Sequence, residues 1–86
     1  MARTYFLSFV EEAVMNPAFA GYTAGRIEVY PDDSETGYSS EEIRFFTKDT
    51  AAFYAFLEKY DFEDVDKATL DTIRDITARR FMDAVR

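Results

Sequence analysis

Neither cysteine nor histidine occurs anywhere in this sequence. The missing cysteine is what most constrains the fold. Domains this short are commonly stapled by disulfides or by a thiolate-held metal, and neither device is open to these 86 residues. The chain must therefore hold together by apolar packing, alone or with a second copy of itself. It has the material, since 48% of its residues are hydrophobic and nine phenylalanines and six tyrosines are among them. A chain of this length buries roughly 60–65% of the surface its unfolded form exposes. That is enough for one core and leaves little depth for a substrate cleft. Residues 1–86 accordingly read as a single α+β domain.

Periodicity sets the expected elements. In residues 4–15, Phe6, Phe9, Val10, Ala13 and Val14 recur at helical spacing, with Ser8, Glu11 and Glu12 opposite. Thr4 is placed to cap that helix, and Asn16-Pro17 stops it. A strand is the rival reading, because Tyr5, Leu7 and Phe9 also alternate. The adjacent Glu11-Glu12 pair would put one charge on each sheet face, so the helix is preferred. Residues 17–25 form a connector punctuated by Gly21 and Gly25, with room for one helical turn.

A strand follows over 26–30, with Ile27 and Val29 facing one way and Glu28 and Tyr30 the other. The turn-rich run 31–40 is a loop. A second strand occupies 41–47, with Ile43 and Phe45 opposite Arg44 and Phe46. These two strands are expected to pair as an antiparallel hairpin with a long tip. Phe53, Phe56, Leu57 and Tyr60 mark a helix over 49–60, capped by Asp49 or Thr47. An acidic linker covers 61–66. A last helix runs from Asp66 to about residue 85 on the stripe Leu70, Ile73, Ile76, Thr77, Phe81 and Val85. The fold expected is thus an N-terminal helix (or strand), an antiparallel hairpin and two C-terminal helices. Two strands alone make a marginal sheet, so a third strand, helix cover or a second chain is required.

The missing histidine removes the commonest general base and metal ligand. With cysteine also absent, Ser–His and Cys–His nucleophiles and ordinary zinc sites are excluded. No glycine-rich phosphate loop of either common pattern is present. The run Asp32-Asp33-Ser34-Glu35-Thr36-Gly37 resembles the start of a calcium loop. The twelfth position, which must be a bidentate acid, is Ile43, so the run reads as a solvated turn. No catalytic residue, cofactor or metal is expected, and the chain is read as a non-enzyme. No leader or membrane-spanning run is apparent, and a cytoplasmic setting is expected.

What remains is charge. Ten basic residues against seventeen acidic ones leave a net −7, which disfavours direct contact with nucleic acid or anionic lipid. No basic residue lies between Arg26 and Arg44, a window holding Glu28, Asp32, Asp33, Glu35, Glu41 and Glu42. A second cluster, Glu58, Asp61, Glu63, Asp64 and Asp66, is offset only by Lys59. Loops and helix starts favour Asp and Glu in any case. If the two clusters share a side, however, they form one negative face suited to a basic protein surface. Tyr30 and Phe46, on the strand face away from Ile27 and Val29, and Tyr38 near the loop tip are candidate interface anchors. The ordinary alternative is that the N-terminal helix covers that face.

In outline the chain resembles small phage-encoded anti-CRISPR proteins, which are short, often acidic and lack catalytic motifs. The resemblance rests on the strand Glu42-Ile43-Arg44-Phe45-Phe46, the helix opened by Thr47-Lys48-Asp49 and carrying Phe53, Phe56 and Leu57, and the amphipathic helix ending Ala78-Arg79-Arg80. It covers about half the chain, in architecture and not in motif. It implies an inhibitor in a host cytoplasm that occludes a CRISPR effector subunit. The expected partner-binding residues are Tyr30, Asp32, Asp33, Glu35, Tyr38, Glu41, Glu42, Phe46, Asp61, Glu63 and Asp64. The alternative is a structural or adaptor homodimer joined through a sheet edge or through the face around Tyr30 and Phe46, with no inhibitory role.

Overall fold

A computed structural model describes residues 4–31 and 40–83. It contains β1 (Thr4–Glu12), β2 (Thr23–Pro31), β3 (Glu41–Thr47), α1 (Thr50–Leu57), β4 (Val65–Asp66) and α2 (Lys67–Arg80), with one 3-10 turn at Pro17–Phe19. The strands form one antiparallel sheet in the order β3-β2-β1-β4. The α+β class holds, and so do the hairpin and the two helices that follow it.

The N-terminal helix does not form. Residues 4–12 are a strand, in register with β2 from Tyr5↔Pro31 to Glu12↔Ala24. On its other side β1 pairs with β4, and Leu7 N–H donates to Phe62 O at 2.7 Å. A helix here would leave β2 and β3 as an isolated two-stranded ribbon, which is marginal in water. The strand supplies both the missing ladder and a half-buried apolar row, and that combination wins. The two adjacent acids that argued against it are both accommodated. Glu11 accepts a hydrogen bond from the Tyr54 hydroxyl, and Glu12 on the opposite face meets Arg26 at 3.2 Å.

β2 begins at Thr23, earlier than the expected 26, and β3 has the expected limits. Alternation then sorts the residues. Leu7, Ile27, Val29, Ile43 and Phe45 are buried on one face with Phe53, Phe56, Leu70, Ile73 and Phe81 from the helical side. Asp49 caps α1 by accepting from Ala52 N–H at 3.2 Å, and Asp66 caps α2 by accepting from Thr69 N–H at 2.7 Å. α2 stops at Arg80 instead of near 85. Phe81 turns into the core, and its carbonyl accepts the Phe46 N–H at 2.7 Å, so the chain leaves the helix along the β3 edge. Val85 lies outside the described residues. Both α-helices contribute to the buried side of the sheet, and among the described residues the opposite face carries no α-helix, only the 3-10 turn whose Phe19 packs on Phe46.

The acidic end of the sheet as a candidate binding site

The antiparallel register brings one set of strand ends together. Tyr5 of β1 lies between Pro31 of β2 and Val65 of β4. Pro31 and Glu41, where the hairpin loop leaves and rejoins the sheet, are therefore at the same end as the α1–β4 linker. With neighbouring strands about 4.8 Å apart, Pro31 and Val65 are separated by roughly 10 Å. Asp32, Asp33, Glu35 and Tyr38 fall outside the described residues, but both ends of the segment holding them are fixed here. In the linker Asp61, Glu63 and Asp64 are exposed, and none forms an ion pair with a described residue. Asp61 Oδ1 accepts the Glu63 N–H at 3.0 Å, which shapes the turn. Asp61, Asp64, Lys59, Tyr60 and Thr69 border a shallow hollow of about 390 Å³.

The remaining expected site residues go elsewhere. Glu41 and Glu42 are consecutive on β3 and so point to opposite faces. Glu41 is held on the helical side by Arg74, which makes two contacts of 2.9 and 2.6 Å to its carboxylate and a third to Asp71 at 2.6 Å. The hydrogen bonds and negative charge of Glu41 and then Asp71 hold the Arg74 guanidinium above its usual range against the opposing effect of burial, the Glu41 hydrogen bond being the largest cause. Glu42 lies on the open face, 3.3 Å from Arg26 and 4.0 Å from Arg44.

Tyr30 and Phe46 share the open face without forming one patch. Phe46 is opposite Ala24, six positions along β2 from Tyr30, or about 20 Å at ~3.3 Å per residue. The Tyr30 hydroxyl donates to Glu28 at 2.7 Å and its ring lies 6.3 Å from Phe6. Phe46 packs against Phe19 and Tyr22, at 5.2 and 5.0 Å. No N-terminal helix covers this face. A groove of about 350 Å³ beside Phe46 is lined by Met15, Phe19, Arg44 and Met82 among others. The charge lattice of the open face, with Arg26 among Glu12, Glu28 and Glu42, is the feature that sequence reasoning missed. Its only signal was the alternating-sign run Arg26-x-Glu28 and Glu42-x-Arg44.

These contacts fix a pH profile. The Tyr30 hydrogen bond and Arg26 hold the Glu28 carboxyl below its ordinary value, and bonds from Thr69 do the same for Asp66. Lys67 and then Arg74 lower Asp71. Folded, these groups bind fewer protons than unfolded, so their stabilisation is present above the ordinary carboxylate range and is lost as pH falls through it. Hydrogen bonds to Glu28 and Glu11 push the Tyr30 and Tyr54 phenols up. That contribution is present below the ordinary phenol value and is lost as pH rises through the raised one. No histidine titrates between. The melting temperature is expected to be level from about pH 6 to 9 and to fall below about pH 5 and above about pH 10. Scanning fluorimetry across a buffer series checks this, and a slope through neutrality would contradict it.

The fold defines a small α+β protein with a four-stranded antiparallel sheet and both described α-helices on one side of it. No family model matches the chain, and neither a curated protein nor a solved structure does. Among the described residues no helix is long and apolar enough to cross a membrane, and no group of three or more acidic side chains is arranged to hold a metal ion.

Proposed function

We propose that this protein is an acidic binding module that occupies a basic surface on a nucleic-acid-handling protein. The observation that carries the reading is the convergence of two acidic segments on one end of the sheet. The hairpin loop with Asp32, Asp33 and Glu35 and the linker with Asp61, Glu63 and Asp64 are anchored about 10 Å apart by strand pairing. The linker carboxylates are exposed and form no ion pair with a described residue, Lys59 being the one cation on the rim of their hollow. Like charges gathered at one end of a small domain raise the local field and steer association with a cationic groove. Inhibition by occlusion follows if that groove is the partner's nucleic-acid channel. A CRISPR effector subunit, implied by the resemblance in layout, is the specific form of this proposal.

The test is capture from bacterial lysate at low salt on two baits, the natural chain and the triple variant Asp61→Lys, Glu63→Lys, Asp64→Lys. The natural chain is expected to retain a basic nucleic-acid-binding protein, identified by mass spectrometry and released as salt is raised. The triple variant is expected to lose it, with at least a ~10-fold weaker association in a direct titration of the identified protein. Equal retention on both baits, or binding indifferent to salt, defeats the proposal.

A further inference from the structure

We propose that the β3 edge is a homodimer contact, in which two copies pair antiparallel about Ile43 to make a continuous sheet. Among the described strands β3 is the last on its side, paired with β2 and bridged to Met82 at Phe46. The Phe46 N–H points away from β2, since it donates to Phe81 O. Strand alternation gives Arg44 and Glu42 the same outward-facing backbone groups, and among the described residues nothing pairs with them. The edge is closed beyond Phe46 by its bridge to Met82, so a second chain has access only to the stretch from Glu41 to Phe45.

Charge identifies that second chain as another copy. Within the sheet, Arg44 lies opposite Arg26 and Glu42 lies opposite Glu28. Both are like-charge pairs, and both fall at the non-hydrogen-bonded positions where side chains come closest. Within one copy these pairs are offset by diagonal contacts, Arg26 lying 3.3 Å from Glu42 and Arg44 lying 3.5 Å from Glu12. A second β3 centred on Ile43 sets Arg44 of each copy against Glu42 of the other, at hydrogen-bonded positions on both sides of the dyad. The neighbouring registers fail. Centring on Arg44 opposes two arginines and runs into the Met82 bridge, and centring on Glu42 opposes two glutamates. Charged side chains usually guard a sheet edge. Here their order along the strand selects one self-complementary alignment. The contact is short, so the dimer is expected to be concentration-dependent. It is independent of the acidic-end proposal, because Asp61, Glu63 and Asp64 lie beyond the opposite edge, next to β4.

Sedimentation equilibrium at low salt tests it with the natural chain, Glu42→Arg, Arg44→Glu and an equimolar mixture of these two. The natural chain is expected to rise with concentration from 10.0 kDa towards twice that mass. Each single variant opposes like charges at both positions and is expected to weaken the dimer by ~10-fold or more. The mixture restores opposite charge at both positions and is expected to recover the natural association. A purely structural effect of either substitution could not produce that recovery. Circular dichroism checks that each variant is folded. A natural chain that stays at monomer mass at every concentration overturns the proposal. So does a dimer whose strength neither variant changes, which would place the contact on another surface.

Discussion

Substituting valine for Gly25 is expected to cost about 3 kcal/mol or more, a large share of the roughly 5–15 kcal/mol that holds a domain together. Gly25 is buried on β2, between Glu11 of β1 and Phe45 of β3. A Cβ there would sit 2.1 Å from Val10 O, 3.0 Å from Glu11 Cα and 2.8 Å from the Phe45 ring. Two of those atoms are backbone in the longest strand pair of the sheet, so they cannot yield without opening its ladder. The backbone also sits at φ +155, where side chains are rarely found. The Phe45 ring fills the space that a side chain would need, stacked on Phe9 at 5.3 Å and 7° and lying 4.4 Å from Phe53. Gly21 is the control. It has φ +89 but open space around it, so Gly21→Ala carries only the left-handed backbone cost of about 1–2 kcal/mol. Urea titration followed by circular dichroism compares the two. Equal midpoints for the natural chain and Gly25→Val would show that the ladder does not need this close approach.

That crowding at Gly25 was invisible in the sequence, where the glycine read as punctuation in a connector. The difference shows which parts of this fold are written locally. The hairpin strand 41–47 was legible because Ile43 and Phe45 alternate cleanly with charged neighbours. α2 was legible because Leu70, Ile73 and Thr77 repeat at helical spacing behind a capping aspartate, and all three are buried. β1 was not, because Tyr5, Phe6, Leu7, Phe9 and Val10 are apolar on both faces and fit either period. The deciding facts were distant: Arg26 to receive Glu12, Tyr54 to receive Glu11, and a β2 long enough to pair along almost the whole of β1. β4 is too short to leave a pattern. The site divides in the same way. The acidic clusters are plain in the composition, and their shared end follows only from the strand order. Glu41 and Glu42 look alike as neighbours in sequence, yet strand alternation puts the first on the helical side, where it pairs with Arg74, and leaves the second on the open face.

Strand order also explains why the second large effect falls on α1. Phe53→Ala is expected to destabilise by about 3–5 kcal/mol, lowering the melting temperature by more than ~15 °C for a domain of this size. The ring is fully buried. Its neighbours come from distant parts of the chain: Phe9 of β1 at 6.0 Å, Phe45 of β3 at 4.4 Å, and Phe81 after α2 at 5.1 Å. Phe56 on the same helix is 6.4 Å away. Each neighbour is fixed by its own ladder or helix, so the cavity cannot close by moving one of them, and the cost should lie towards the upper end of the range. α1 is only eight residues long, too short to persist without packing, and Phe53 and Phe56 are its buried residues. Losing Phe53 should therefore also loosen the Asp61–Asp64 linker that α1 leads into. Phe53→Leu keeps most of the apolar volume and should retain a single cooperative melt with a smaller shift. If Phe53→Ala melts within a few degrees of the natural chain, the aromatic cluster is not what fastens α1 to the sheet.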